Sequence, residues 1–290
     1  MTTHAIGIIG TGAMGTPMAL RLLGANNSVF YLKRRTNEVL ENAGAQPVNS
    51  AAELASKVSA VLVMLPDLPY LEPHLEGDNS LLAGGKELLI MVGSTSSPVR
   101  LREIAQQVRD KTHGRVTMVD CPVSGGVEGA SAGTLSIMMG GTSEEHQTVE
   151  ALLSPCGTVH HLGPLGAGEV AKSCNQMVVG ATMLALAEAT VLGERSGIDA
   201  QKLLEVLGGG YAGSTLLESK KRHLVENDFT PGGIAKYMLK DLGFAQDVST
   251  STGSAPALLP NLAHAYEEVV EAGYGDEDLA VVKKFIENRN

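Results

Sequence analysis

A lysine and an asparagine near the middle of the chain have the types and spacing of groups that move a proton. Lys172 and Asn175 lie three residues apart, so in a helix both side chains point to the same side. An ammonium can donate a proton to a carbonyl oxygen, and desolvation can lower the pKa of a lysine toward neutrality. We therefore predict Lys172 as the catalytic acid/base and Asn175 as the group that orients the substrate hydroxyl or the lysine. The alternative is a solvent-facing lysine, although its neighbours Gly168, Ala171 and Val179 are small or apolar.

A glycine-rich turn near the N-terminus indicates the hydride carrier that such a proton donor would serve. The turn follows an apolar run at 5–9 and opens a helix-patterned segment. Its glycines permit a tight turn and a close approach of the pyrophosphate to the positive end of the helix. The alternative is a glycine-rich turn without a ligand. The predicted cofactor contacts in this turn are Gly10, Thr11, Gly12, Ala13, Met14 and Gly15.

The position that selects between NAD and NADP follows the second predicted strand. NAD-binding folds usually carry an acidic residue there for the ribose hydroxyls, and this chain has Lys33, followed by Arg34 and Arg35. Cations suit a 2′-phosphate, and the carboxylate that would repel it is missing. We therefore predict NADP as the cofactor, with NAD as the alternative. An ordinary solvated basic loop is the other interpretation of these residues.

Three further segments follow predicted strands, where doubly wound sheets bind their ligands. Met64, Leu65 and Pro66 are predicted to line the cofactor, although Met64 and Leu65 also suit a hydrophobic core. Thr95 is predicted to reach the nicotinamide side. The third segment offers a hydroxyl and main-chain N–H groups, which suit a carboxylate, although a structural turn would use the same residues. Its predicted substrate contacts are Ser124, Gly125 and Gly126.

The hydrophobic pattern predicts an α/β chain whose halves differ. In the first half, strands alternate with helices, which is typical of a parallel, doubly wound Rossmann-type sheet. Strands are expected at 5–9, 29–32, 60–65, 88–92, 116–119 and 135–139, and helices at 14–23, 37–43 and 98–111. From about residue 166 the pattern is helical, beginning with one long apolar helix at 170–196 that would run between domains or into a subunit interface. Further helices are expected at 199–207, 215–227, 234–251, 257–272 and 276–287. We predict a dinucleotide-binding domain at 1–164 and an all-α domain at 165–290.

Composition excludes several classes of function. The net charge is −10 and no large basic patch is encoded, which argues against a nucleic-acid surface. The three cysteines form no paired motif and the histidines show no HxxxH spacing, so no metal site is expected. No uninterrupted run reaches the roughly 18 apolar residues of a membrane span, and no signal peptide is evident. We therefore expect a cytoplasmic protein.

Taken together, these segments resemble the β-hydroxyacid dehydrogenase family, which includes 3-hydroxyisobutyrate dehydrogenases and tartronate semialdehyde (2-hydroxy-3-oxopropionate) reductases. The resemblance covers the whole chain. It implies that Lys172 is the catalytic lysine, that Ser124, Gly125, Gly126 and Asn175 hold the substrate, and that Thr95 and Lys240 contact the cofactor. It also implies a Rossmann-type domain, a long interdomain helix and an all-α domain that forms homodimers or homotetramers. The matching segments lie at 10–18, 64–66, 94–95, 120–126, 166–175 and 240–242.

Lys33 departs from the family pattern at the usual acidic position, which puts an NAD preference in doubt. The loop at 209–217 looks like that of tartronate semialdehyde reductases, whereas 238–252 looks like 3-hydroxyisobutyrate dehydrogenases. The predicted function is an NADP-linked reductase that interconverts a small carboxylate-bearing aldehyde and its 3-hydroxy acid. An NAD-linked oxidation of 3-hydroxyisobutyrate or a serine-like compound is the second possibility. A non-catalytic dinucleotide-binding module is the third.

Overall fold

The computed structural model describes residues 4–289, and over this range the α/β part contains one nine-stranded sheet. The first six strands lie parallel in the order β3-β2-β1-β4-β5-β6, and β8 and β7 continue the sheet from β6. The pairs β6–β8 and β7–β8 are antiparallel, and β9 pairs parallel with β8. The strands are β1 (Ala5–Ile9), β2 (Ser28–Leu32), β3 (Gln46–Val48), β4 (Ala60–Val63), β5 (Leu88–Val92), β6 (Val116–Asp120), β7 (Val123–Ser124), β8 (Leu135–Gly140) and β9 (Gly157–Gly163).

Burial on both faces explains why the central strands are continuous apolar runs. Every residue of β4 and β5 is buried, as expected for parallel strands covered by helices on both sides. Successive side chains of a strand point to opposite faces. Accordingly, Leu62 joins the hydrophobic cluster on one face, whereas Val61 and Val63 join the cluster on the other.

Four helices of the α/β part begin at residues whose side chains cap them. Asn37, Ser50, Ser97 and Thr142 each accept a main-chain N–H of the helix that follows. Thr142 also forms a capping box with Glu145. The six helices are α1 (Gly15–Gly24), α2 (Glu38–Asn42), α3 (Ala51–Lys57), α4 (Pro98–Thr112), α5 (Gly126–Ala132) and α6 (Ser143–Leu153).

The structure corrects the sequence-based elements in several places. The third predicted strand ends at Val63, two residues early, because the chain turns there into the loop beside β1. The strands β3, β7 and β9 and the helices α3, α5 and α6 were not predicted. β7 has only two residues and β9 is mostly exposed, so neither produces a clear hydrophobic pattern. The sheet is also not wholly parallel, since β8 and its parallel partner β9 run in the direction opposite to β6 and β7.

A single long helix, α7 (Ala167–Arg195), carries the predicted proton donor. The chain packs as two compact units, one ending at Lys172 and the other beginning at Ser173, and α7 continues through that point. Within residues 4–289, only α7 is long and apolar enough to cross a membrane by length and composition, although no uninterrupted apolar run suggested it. This is weak evidence for a membrane span, because the core helix of a protein without one meets the same criterion.

The second unit is helical and has its own core. Leu204, Leu242 and Tyr266 are among its buried residues. A buried carboxylate, Asp278, ties its loops together by accepting hydrogen bonds from the main-chain N–H groups of Gly233 and Ala280. The helices after α7 are α8 (Ala200–Gly208), α9 (Thr215–Glu226), α10 (Ala235–Thr252), α11 (Leu259–Val269) and α12 (Val282–Asn288).

Candidate active site

The glycine-rich turn lies at the point where the strand order of the sheet reverses. β1 is flanked by β2 on one side and β4 on the other, and ligands of doubly wound sheets bind at this position. The parallel register aligns Ile9 with Val63 and Val63 with Val92, so the loops after these strands share one edge. Val92 in turn aligns with Asp120 at the end of β6. This common edge collects most of the predicted site residues of the first unit.

The three glycines of the turn are required for different reasons. Gly10 has a φ of 100°, and a Cβ there would stand 2.4 Å from the carbonyl oxygen of Met64. At Gly15, a Cβ would stand 1.9 Å from the carbonyl oxygen of Gly10, so the turn closes only without a side chain. At Gly12, by contrast, a Cβ would meet no protein atom within 4 Å. Internal packing therefore does not explain Gly12, which the glycine-rich motif predicts to lie against a pyrophosphate.

The basic segment after β2 is divided between an internal ion pair and the surface. The Lys33 ammonium lies 3.2 Å from Glu41 Oε1, which also accepts a hydrogen bond from the Tyr31 hydroxyl at 2.6 Å. These two bonds lower the pKa of Glu41, and burial first and then this carboxylate raise the pKa of Tyr31. Arg34 and Arg35 are exposed beside this cluster. The structure thus gives Lys33 a carboxylate partner and leaves the two guanidinium groups at the surface.

The loops after β4 and β5 are joined by a side chain of the second loop. The Ser94 hydroxyl accepts the main-chain N–H of Leu65 at 3.1 Å. Met64 and Leu65 are half-buried and pack against the two hydrophobic clusters of the sheet, while Pro66 is exposed. Thr95 is half-buried and directly follows this junction. Both loops are therefore held together at the edge that carries the glycine-rich turn.

Lys172 reaches the start of the predicted substrate segment. Only 8% of this residue is exposed, and its ammonium donates a hydrogen bond of 2.9 Å to the carbonyl oxygen of Val123. The next residues are half-buried Ser124 and the exposed pair Gly125 and Gly126, whose φ angles of 134° and 65° favour glycine. The structure thus places a buried ammonium on the carbonyl group that directly precedes Ser124 and the two exposed glycines.

Two buried carboxylates hold the beginning of α7 in the first unit. Asp120 accepts the N–H groups of Gly166 at 2.7 Å and Glu169 at 2.8 Å, which the first turn of a helix leaves without internal partners. Burial raises the pKa of Asp120 despite these bonds. Glu169 accepts the N–H of Ser96 at 2.9 Å and its hydroxyl at 2.8 Å. Both carboxylates are fully buried, as is Ser96.

Glycines enclose the Asp120 carboxylate, and a cysteine follows it. A Cβ at Gly140 would stand 2.3 Å from Asp120 Oδ1, and one at Gly168 would stand 2.1 Å from the carbonyl oxygen of Met138. Cys121 is fully buried, and burial followed by the charges of Asp120 and Glu169 raises the pKa of its thiol. The Asp120 carboxylate is thus closely packed, and its charge affects the pKa of the neighbouring thiol.

The other cysteines differ in exposure. Burial raises the pKa of Cys156 to about 12. Cys174, on α7, is exposed. Over residues 4–289, no group of three or more histidine, cysteine or acidic side chains is arranged to hold a metal ion.

In the second unit, a hydrogen-bonded chain connects the other two predicted site residues. The Asn175 amide donates to Gln176 Oε1 at 3.0 Å, and the Gln176 amide donates to Asp241 Oδ2 at 2.7 Å. Lys240 lies 2.9 Å from Asp241 Oδ1 and 4.7 Å from the centre of the Phe244 ring. The predicted substrate contact and the predicted cofactor contact of this unit thus share one buried carboxylate, Asp241.

Four buried polar residues of the site were not predicted from the sequence: Asp120, Glu169, Gln176 and Asp241. Glu169 was within reach of the same reasoning, because it lies three residues before Lys172 and shares its side of the helix. Asp120 gave no comparable signal, since its partners are 46 and 49 residues away in the chain. Gln176 and Asp241 are likewise 65 residues apart.

Comparison with known proteins identifies the family. Residues 5–175 match the model of the NAD binding domain of 6-phosphogluconate dehydrogenase, and residues 166–286 match the model described as NAD-binding of NADP-dependent 3-hydroxyisobutyrate dehydrogenase. A probable mitochondrial 3-hydroxyisobutyrate dehydrogenase of Dictyostelium discoideum is 35% identical, over 100% of this chain and 92% of its own length. An NAD-dependent L-serine dehydrogenase of Pseudomonas aeruginosa is 34% identical, over 97% of both chains.

The fold has a solved counterpart. The 3-hydroxyisobutyrate dehydrogenase of Mycobacterium tuberculosis, determined with L-serine, superposes with a TM-score of 0.83 at 30% identity, covering 98% of this chain and 99% of that one. The family models span both the glycine-rich turn and the helix of Lys172, and the matched relatives are dehydrogenases of hydroxy acids. The chain therefore belongs to the β-hydroxyacid dehydrogenase family and is an oxidoreductase that uses a nicotinamide dinucleotide.

Proposed function

We propose that this oxidoreductase uses NADP(H) and interconverts a small carboxylate-bearing aldehyde with its 3-hydroxy acid, as a tartronate semialdehyde reductase does. The observation that carries the proposal is the buried Lys172 ammonium, which donates to the carbonyl oxygen of Val123 immediately before Ser124. A proton donor is thereby held beside a segment whose hydroxyl and N–H groups suit a carboxylate.

In the reducing direction, a bound nicotinamide dinucleotide would supply the hydride that the carbonyl carbon of the aldehyde receives. Lys172 donates a proton to the carbonyl oxygen, so that the C=O double bond becomes a C–O single bond bearing a hydroxyl. The lysine is left as a neutral amine and regains a proton from solvent. In the oxidising direction, the neutral amine accepts the hydroxyl proton. Asn175, one helical turn further along α7, orients the substrate hydroxyl.

Arg34 and Arg35 support the NADP preference. Both are exposed directly after β2, where an acidic residue would bind the ribose hydroxyls of NAD. Guanidinium groups bind phosphate through paired N–H donors, which makes these two residues the proposed 2′-phosphate contacts. Lys33 is engaged with Glu41 and contributes positive charge to the same segment. Lys240 is a proposed cofactor contact of the second unit.

An NAD-linked oxidation of 3-hydroxyisobutyrate or L-serine is the second candidate. It is favoured by the names of the matched relatives, which are 3-hydroxyisobutyrate dehydrogenases and an NAD-dependent L-serine dehydrogenase. Initial rates separate the two candidates. We would measure reduction of tartronate semialdehyde, methylmalonate semialdehyde, succinic semialdehyde and glyoxylate with NADPH and NADH at equal concentrations, and oxidation of 3-hydroxyisobutyrate and L-serine with both oxidised cofactors. A strong preference for NADH would contradict the proposed cofactor.

The role of Lys172 is tested by the Lys172→Ala variant. We expect turnover to fall by about 10²–10⁴-fold, because proton transfer by a positioned group contributes that much, while NADPH binding is retained. Cofactor fluorescence titration measures binding, and steady-state assays measure turnover. Lys202→Ala, at an exposed position on α8, is the control for removing a lysine. Turnover close to that of the unsubstituted protein would refute the role of Lys172.

We also propose that the protein forms homo-oligomers through α7. The side chains of Val178 and Leu192 lie on one stripe of this helix and are 67% and 70% exposed, which is unusual for large apolar groups. A second copy of the chain would remove this stripe from water. Light scattering after gel filtration measures the mass, and Val178→Glu combined with Leu192→Glu should reduce it to that of a monomer.

A further inference from the structure

A second charged residue is buried in the first turn of α7, one turn before the catalytic lysine. Glu169 and Lys172 are three residues apart, a spacing that makes side chains neighbours on a helix surface. Both Glu169 carboxylate oxygens accept hydrogen bonds from Ser96, one from its N–H at 2.9 Å and one from its hydroxyl at 2.8 Å. The carboxylate is fully excluded from solvent. An ionisable group is rarely buried so completely unless it is paired and hydrogen-bonded.

These bonds connect the helical turn of Lys172 to the loop after β5. Ser96 follows Thr95 in that loop, so Glu169 fixes the turn relative to the predicted cofactor contact. Asp120 fixes the same turn to the end of β6, where the segment leading to Ser124 begins. The two carboxylates therefore hold one helical turn against two loops of the sheet edge. The position of Lys172 depends on both attachments.

Charges from neighbouring elements define the electrostatic setting of this turn. β6 contributes Asp120 and the buried thiol of Cys121, and α4 contributes Arg102, whose guanidinium donates to the carbonyl oxygen of Leu165 at 2.9 Å. After burial, the charges of Asp120 and Glu169 both raise the pKa of the Cys121 thiol, so the two carboxylates act on the same small region. Of these groups, Glu169 shares the helical turn and the helix face of Lys172.

We infer that Glu169 is a positioning residue for Lys172: its carboxylate fixes the helical turn against Ser96 and its negative charge keeps the ammonium protonated. This inference rests on the proposed role of Lys172 as the proton donor. A carboxylate one turn away in a region shielded from water favours the charged form of a lysine. In the reducing direction, the enzyme then retains its proton donor to a higher pH.

The Glu169→Gln variant separates charge from geometry. A glutamine can accept the Ser96 N–H with its amide oxygen and donate its amide N–H to the Ser96 hydroxyl, so both attachments survive without the charge. Glu169→Ala removes both attachments and leaves the Ser96 N–H buried without its acceptor, which endangers folding. The glutamine variant is therefore the decisive one. Glu188→Gln, at an exposed position on α7, is the matched control.

The experiment is a pH profile of kcat/KM for aldehyde reduction with the full-length protein. For Glu169→Gln, we expect the fall in rate at high pH to move down by about one pH unit or more. Side chains three residues apart on a helix have Cβ atoms about 5–6 Å apart, and an opposite charge at roughly that distance shifts a pKa by about one unit or more. The melting temperature and the Kd for NADPH should stay near those of the unsubstituted protein, and Glu188→Gln should leave the profile in place. A glutamine variant with an unmoved profile would overturn the inference, whether or not its stability changed.

Failure of the inference about Glu169 can be distinguished from failure of the proposed function. If Lys172→Ala retains turnover, the lysine is not the proton donor and the proposed function is wrong. If Lys172→Ala is inactive but Glu169→Gln keeps the profile of the unsubstituted protein, the lysine is the proton donor and only the inference about Glu169 is wrong.

Discussion

Two buried aspartates, one in each unit, perform the same structural task in opposite electrostatic settings. Asp120 accepts main-chain N–H groups at the start of α7, and Asp278 accepts those of Gly233 and Ala280 in the helical unit. Asp278 also has the Lys220 ammonium at 2.8 Å. Among residues 4–289, Asp120 has no ion pair within 4 Å. Burial therefore raises the pKa of Asp120, whereas at Asp278 the opposing effect of burial is outweighed by Lys220 and the N–H donors, which lower the pKa.

The difference shows that hydrogen bonds from the main chain do not by themselves neutralise the cost of burying a charge. In the helical unit, a lysine supplies the opposite charge and makes the carboxylate a stable structural ion. At the sheet edge, two buried carboxylates hold the first turn of α7, and the proposed proton donor, Lys172, follows one turn later on the same helix. The first arrangement serves stability, and we propose that the second keeps the ammonium of Lys172 charged.

The largest expected effect on stability follows from removing the countercharge of Asp278. Lys220→Met leaves a fully buried carboxylate unpaired, and we expect the free energy of unfolding to fall by about 3–5 kcal/mol. Denaturant titration measures the loss. The neighbouring Lys221→Met is the control, because Lys221 pairs with exposed Glu205 at 3.7 Å and such pairs contribute about 0–1 kcal/mol. Equal losses in the two variants would contradict the comparison.

A smaller loss is expected at the other aspartate. In Asp120→Asn, the amide nitrogen cannot accept a hydrogen bond, so the N–H of either Gly166 or Glu169 loses its partner. An unsatisfied buried donor costs about 1–3 kcal/mol. We expect turnover to fall as well, because the displaced helical turn carries Lys172. A variant with unchanged stability would show that these two bonds do not hold the turn.

The smallest expected effect is a pH dependence of the free energy of unfolding, with opposite signs at Asp278 and Asp120. Each unit of pKa shift changes this free energy by about 1.4 kcal/mol. The pKa of Asp278 is lowered in the folded protein. Its contribution to stability is therefore fully present above its pKa in the unfolded chain, near 4, and is lost as the pH falls through its pKa in the folded protein. The pKa of Asp120 is raised in the folded protein. Its contribution to stability is therefore fully present below its pKa in the unfolded chain and is lost as the pH rises through its pKa in the folded protein.

Measurements of the free energy of unfolding between about pH 3 and 6 test the direction in which each contribution changes with pH. The stability difference between the unsubstituted protein and Asp278→Asn should narrow toward acid pH. For Asp120→Asn, the difference should narrow as the pH rises. Two curves that change in the same direction would show that the two carboxylates are not in opposite settings.

The parts of the fold and site that were predicted are those with local causes. The apolar run before Gly10 and the helix after Gly15 predict the strand–turn–helix unit, because turn geometry and strand burial act over a few residues. The long helix of Lys172 follows from its apolar pattern in the same way. The family and the use of a nicotinamide cofactor were also predicted, since both depend on short motifs in a fixed order.

What was not predicted depends on contacts distant in sequence. β7 consists of Val123 and Ser124 alone and exists because it pairs with β8. The bond from Ser96 to Glu169 joins residues 73 apart, and no periodicity reports such a pairing. The ion pair of Lys33 was also not predicted. The basic residues beside Lys33 indicated a phosphate contact, whereas in the structure its ammonium pairs with the carboxylate of Glu41.

The unequal exposure of the cysteines makes α7 accessible to a chemical reporter without any substitution. A maleimide reacts with a thiolate at the surface, so it should modify Cys174 and spare Cys121 and Cys156, which are buried and hold their protons. Cys174 lies on the same stripe of the helix as Val178 and two residues beyond Lys172. Its rate of alkylation would therefore slow when a second copy covers that stripe, and the rate would fall as protein concentration rises.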